Sequence, residues 1–380
     1  MTHTPSQESA LGPLEAGVRN THLDLIRGVA VLGILVMNVV SYGLGPGPYF
    51  NLSAGGSRTW SDWVIGSFGE VFVDQKFMGL FSLLFGAGIA LFCDRASAKT
   101  RRPRLLSLWR NGLLLGIGLL HMLIWDGDIL VGYALLSPVV ILLHNRRPRT
   151  LLVLGGAVLL VSPMAAVLLQ SRIPGDGSGL GGFWTAGVEL GLAAGEFILV
   201  DFLSRAAGMM LIGVALYRTG IVTGDRSNAF YRRMSIIGLG AGLPLAAAGL
   251  LWVATADFSP GLAFIGTIPN TFGTVPAVLG YVGLMVLWNR RPETPMRRRL
   301  RSVGRMALTN YLIQTVLGIA VLRILLPHLD LTRTMLLGFV AVVWALQLWW
   351  SKSWLDRFRY GPAEWLWRIA TYRRLQRLRS

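Results

Sequence analysis

Residues 23–42 read LDLIRGVAVLGILVMNVVSY. Twenty almost wholly apolar residues make a helix of about 30 Å, the thickness of a bilayer's hydrocarbon core. Nine further runs repeat the pattern, over residues 70–93, 105–125, 129–144, 151–169, 196–217, 235–254, 262–288, 303–326 and 335–354. Repeated apolar runs, rather than one apolar core, predict an all-α, polytopic membrane bundle of about ten transmembrane helices, without a soluble domain. Only 14% of the 380 residues are charged and 53% are hydrophobic, with a mean hydropathy of +0.54. Soluble enzymes, secreted disulfide scaffolds and disordered chains are excluded by that balance. Cys93 is the only cysteine, so no intrachain disulfide and no cysteine metal cluster can form.

The net charge of +17 does not point to nucleic acid, because the basic residues sit in short clusters between apolar runs. Arg95, Lys99, Arg101, Arg102 and Arg104 follow the second run; Arg146, Arg147 and Arg149 follow the fourth. Arg218, Arg226, Arg232 and Arg233 surround the loop after the sixth, and Arg290 to Arg301 follow the eighth. The intervening loops carry Arg58, Arg172 and Arg333. This alternation predicts an even number of spans with both termini cytoplasmic. Residues 1–22 are polar, with no apolar stretch that would make a cleaved leader. Residues 23–355 form one bundle, and residues 356–380 mix tryptophan with arginine as a basic amphipathic tail on the anionic leaflet does. The loops GLGPGPYFNLSAGGSRTW and SRIPGDGSGLGG read as irregular caps on the far side. Pro269 and Pro276 predict a kinked or broken span over 262–288.

Ionisable and amide side chains inside spans are costly, so each is a candidate functional group. Arg27 and Asn38 are eleven positions apart, which places them on one helical stripe roughly 16 Å apart along the axis. Arg110 and His121 repeat that offset. Asp126 and Asp128 follow His121 across the turn WDGDIL; a carboxylate beside an imidazole fixes its tautomer and raises its basicity, as a general base requires. Asp128 also stands where it can cap the next helix. Glu70 and Asp74 share a helical face and Lys76 points away from it; Asp201 and Arg205 form an i,i+4 pair; Asn310 and Gln314 share a face. No Walker A loop, dinucleotide fingerprint, HExxH or CxxC is present.

The run THLDLIRGVAVLGILVMNVVSYG resembles the first helix of the bacterial YeiB-like integral membrane proteins. KFMGLFSLLFGAGIALF, LLHMLIWDGDILVGYALL, VGRMALTNYLIQ and GPAEWLWR extend the resemblance from about Leu23 to Arg368. That family is similar to the transmembrane acyltransferase superfamily, which includes sugar O-acyltransferases and the lysosomal glucosaminide N-acetyltransferase. The resemblance implies acyl transfer, most simply acetyl, from cytoplasmic acyl-CoA to a periplasmic, sugar or lipid-linked acceptor. It also implies a place in the bacterial inner membrane among its lipids. Arg27 matches the superfamily arginine; Asn38 and Tyr49 stand where its two subgroups have catalytic histidines. On this reading His121 is the base, Asp128 orients it and Asn38 donates to the developing oxyanion. Arg27 holds the CoA phosphates, Asn310 and Gln314 line the pantetheine path, and no metal takes part. The alternative is a transporter or flippase for a small or lipid-linked solute, using the same polar groups as a path.

Overall fold

The computed structural model describes residues 19–98, 100–185, 189–375 and 377–379. The expected loose segment up to residue 18, and Lys99 of the basic loop, lie outside the described residues. The described chain is helical throughout, with two isolated bridges and no strand. Nine described helices are long and apolar enough to cross a membrane. The tenth expected span is shorter than anticipated: Leu130–Leu143 has 14 residues, about 21 Å of helix, less than the hydrocarbon thickness.

We number the helices α1 (Thr21–Gly43), α2 (Trp60–Phe68), α3 (Lys76–Ser97), α4 (Pro103–Met122), α5 (Leu130–Leu143), α6 (Pro148–Leu159) and α7 (Val161–Gln170). The second half holds α8 (Leu192–Arg218), α9 (Asn228–Thr255), α10 (Ile268–Asn289), α11 (Pro295–Arg305), α12 (Ala307–Gly318), α13 (Arg333–Leu355) and α14 (Pro362–Tyr372). Helix α1 is the central post, packed by α3, α10, α11, α12 and α13. Glycines let backbones touch: a Cβ on Gly28 would stand 2.0 Å from Leu300 O, and one on Gly213 1.9 Å from Leu83 O. Small residues at such crossings take the place of the hydrophobic drive that lipid removes.

Among the interrupted spans, two breaks lie beside buried polar groups. After α2 the chain runs through a π-helical turn, Gly69–Val73, and Gln75 adopts φ 60° before α3 starts. Before α10, short 3-10 turns occupy Pro260–Leu262 and Ile265–Thr267. The break expected over 262–288 therefore lies ahead of Pro269, which sits in the first turn of α10, where proline costs nothing, while Pro276 lies inside the helix. Residues 19–20 and 359–372 line one cavity, so the described chain ends share a face of the bundle.

Candidate active site

His121 closes the last turn of α4, and the turn TrpAspGlyAsp at 125–128 folds back on it. Asp128 uses its two oxygens for two tasks. Oδ1 accepts the Val131 N–H at 2.9 Å, capping α5, and Oδ2 lies 2.6 Å from His121 Nδ1. Both side chains are shut away, 2% and 0% exposed. Gly118 makes this possible, since a Cβ there would stand 3.1 Å from Asp128 Oδ1 and 2.9 Å from Val131 N. A carboxylate at Nδ1 holds the proton on that nitrogen and leaves a lone pair on Nε2. His121 Nε2 is buried and has no hydrogen-bond partner among the described residues. Asp126, by contrast, is exposed.

Tyr311 of α12 joins this pair. Its ring lies 5.2 Å from the imidazole, and its hydroxyl is 3.4 Å from Asp128 Oδ2. Trp125 packs edge-on to Tyr42 and donates to Ser41 Oγ at 3.0 Å. Asn38 lies one turn before Tyr42, on the face where Ile34 meets Tyr311, Leu114 and Leu130. Its amide nitrogen is buried beside the Tyr42 hydroxyl, with no strict hydrogen-bond partner among the described residues. Buried polar atoms without partners are uncommon in a folded interior, so each calls for an explanation.

From the face carrying the chain ends, a cavity of about 990 Å³ descends between α1, α3, α4, α12 and α14. Seven arginines and two carboxylates line it. Arg27 sits at its rim, 3.5 Å from Asp24. Arg110 is held between the rings of Phe92 and Trp367, at 4.7 and 3.9 Å. No carboxylate among the described residues lies within ion-pair reach of it. Deeper, the wall is Phe81, Phe85, Leu114, Leu130 and Tyr311.

Asn310 and Gln314 do not line this cavity; their shared face meets other helices. Asn310 donates to Ser351 Oγ at 3.0 Å and accepts from Trp350 Nε1 at 2.8 Å. Gln314 donates to Val31 O at 3.1 Å and to Gln347 Oε1 at 2.9 Å. They bind α12 to α13 and α1, so the expected pantetheine lining is corrected: in this bundle these amides are interhelical ties.

Sequence reasoning missed the walls. Helix α14 does not merely lie on a leaflet; it closes one side of the cavity. Trp367 Nε1 donates to Arg110 O at 2.8 Å. Glu364 accepts Leu308 N, Thr309 N and Thr309 Oγ1 at 2.7, 3.1 and 2.6 Å, satisfying donors left open at the start of α12. Burial pushes the Glu364 carboxyl up from its ordinary range while these bonds pull it down. Glu364→Ala is expected to cost about 1–2 kcal/mol, as loss of a cap does, and to speed proteolysis between Leu355 and Pro362. Unchanged melting and cleavage would show that this contact does not hold α14.

A second polar centre lies at the opposite face. Across the π turn Glu70 and Asp74 still face one space, a small recess that Arg333 also lines. Lys76 Nζ donates to Glu70 O at 2.8 Å and to Asn270 Oδ1, and Asp74 accepts from Tyr49 OH at 3.0 Å and Asn270 Nδ2 at 3.4 Å. Asp201 pairs with Arg205 and accepts from Ser162 Oγ at 2.5 Å. No group of three His, Cys, Asp or Glu among the described residues is placed to hold a metal ion.

A family described as "Protein of unknown function (DUF418)" matches residues 216–374. The Escherichia coli protein YeiB is 33% identical over 381 residues, covering 93% of this chain and 97% of its own. The chain belongs to the YeiB-like family. The Bacillus subtilis protein YxaH is 28% identical, covering 96% of this chain and 97% of its own. Both relatives are described as uncharacterized. The matched DUF418 segment holds α12 and α14, and with them Tyr311, Glu364 and Trp367, whereas His121 and Asp128 lie in the part where YeiB-like kinship rests on whole-chain similarity.

Proposed function

We propose that this YeiB-like protein is a membrane acyltransferase, moving an acyl group, most simply acetyl, from cytoplasmic acyl-CoA to a hydroxyl or amine across the bilayer. One observation carries the reading: a buried His–Asp pair with a bare Nε2 lies just beyond the inner end of an arginine-lined cavity. A volume of about 990 Å³ is at the upper end for a ligand site. Arg27 and Arg110 suit the CoA phosphates, and the apolar depth suits the acyl arm. His121 Nε2 takes the proton from the acceptor as its oxygen or nitrogen bonds to the thioester carbonyl carbon. Asn38 donates to the oxyanion. The carbon–sulfur bond then breaks, the proton passes from Nε2 to sulfur, and CoA leaves as the thiol. Isothermal titration calorimetry of the detergent-solubilised protein should register CoA binding; folded protein with no CoA heat at millimolar concentration would contradict the proposal.

The arginine-rich loops favour both termini in the cytoplasm of a bacterial inner membrane. Reporter fusions after Arg102 and after Gly177 are expected to read cytoplasm and periplasm respectively. The opposite pair of readings would invert the orientation.

The second reading is a transporter or flippase. It is supported by the junction of two interrupted segments, where Lys76 reaches Asn270, because broken helices with buried charge mark many transport sites. Transport of a solute that survives Arg110→Ala, together with absent CoA binding, would select it.

A further inference from the structure

The cavity and the His–Asp pair do not meet. Along α4 the cavity touches Leu106, Ser107, Arg110, Asn111 and Leu114, but neither Gly118 nor His121. Seven further residues of helix put the imidazole roughly 10 Å beyond Leu114. His121 Nε2 is sealed from any solvent-sized space. Tyr311 belongs to both sides: its ring is part of the cavity wall and lies 5.2 Å from the imidazole. Its hydroxyl is tethered at the turn after α4, 3.4 Å from Asp128 Oδ2 and 3.4 Å from the Ile129 N–H it accepts. Helix α12 behind it is fixed through Asn310 and Gln314.

We infer that Tyr311 is the partition between the donor cavity and His121, holding the thioester away from the base so that the acyl group is not lost to water. This rests on the acyltransferase reading and adds a selectivity residue to it. A base with a bare lone pair does not distinguish an acceptor hydroxyl from water. If water entered with the donor, Nε2 would take its proton, the water oxygen would bond to the thioester carbon, the carbon–sulfur bond would break, and the proton would return to sulfur. The products would be free acid and CoA. A ring wedged between cavity and imidazole blocks that route. Its two hydroxyl contacts, both at 3.4 Å, are long for hydrogen bonds to a phenol, which suits a side chain that must swing aside when an acceptor is seated.

The test measures access to His121 and loss of acyl groups on the same full-length preparations, with Tyr311→Ala, Tyr311→Leu and Tyr311→Phe. Access is read as the rate at which diethyl pyrocarbonate modifies the His121 peptide, by mass spectrometry; loss is read as CoA thiol released from acetyl-CoA with no acceptor added. Tyr311→Ala should raise both at least tenfold, and adding His121→Ala should abolish the extra thiol release. Tyr311→Leu carries the same forecast should the alanine variant fail to fold. Tyr311→Phe keeps the ring and should keep His121 unreactive. Folded alanine and leucine variants whose His121 reacts at the wild-type rate would overturn the partition. Faster modification that acetyl-CoA neither slows nor accompanies with thiol release would overturn the protective role and the acyl-CoA reading beneath it. The modification needs no acyl donor, so the two failures are distinct.

Discussion

His121→Ala is expected to leave the bundle folded and to lower acyl transfer by about two to four orders of magnitude, the usual worth of a positioned general base. A structural tie makes a different forecast: melting would fall while turnover per folded molecule held. His121 bonds through Nδ1 to Asp128, which also caps α5, and its Nε2 has no hydrogen-bond partner among the described residues. Removing the ring leaves one Asp128 oxygen without its nearest partner, so some stability is lost, on the order of 1–3 kcal/mol for a buried unsatisfied group. Turnover must therefore be expressed per folded molecule, with melting temperature read on the same sample. Asp128→Asn should lose less activity, because it orients the ring rather than taking a proton, and it keeps an acceptor for Val131 N. A folded His121→Ala with full activity would remove the catalytic assignment.

Arg110→Ala is expected to weaken CoA binding by about ten- to hundredfold, since a hydrogen bond to a charged group is worth about 1.5–3 kcal/mol. The guanidinium is fixed by stacking between Phe92 and Trp367 and has no carboxylate partner among the described residues. A cation so placed in an apolar wall is stabilised by an anionic ligand. Arg110→Lys should restore only part of the affinity, because an ammonium neither stacks on both rings nor offers two parallel donors. Arg27→Ala should weaken binding less, since Asp24 already shares its charge. Wild-type CoA affinity in Arg110→Ala would place the phosphates elsewhere.

The bundle was legible because hydropathy over 20 residues reports membrane span directly. The His121–Asp128 pair was legible for a local reason: seven positions across a tight turn leave few ways for the carboxylate to avoid the ring. Other features depended on partners distant in sequence. Asn310 and Gln314 do share a face, but periodicity does not say which helix that face meets; Gln347 and Ser351 claim it from α13. The turn at Gln75 hides inside an apolar run, where average hydropathy carries no trace of a positive φ. Tail amphipathicity predicted an apolar face for α14 without saying that Arg110 and the start of α12, rather than lipid, would cover it. Tyr311 gave no signal, because a tyrosine in an apolar run is an ordinary core residue until a histidine and a cavity are placed on either side of it.

The most direct measurement is an experimental density map of the protein with a non-hydrolysable thioether analogue of acetyl-CoA at millimolar concentration. The account predicts density filling the cavity, with phosphates against Arg27 and Arg110 and the thioether at the ring of Tyr311, pointing toward His121. A well-resolved bundle whose cavity holds no analogue, or holds it with the phosphates away from these arginines, would contradict it.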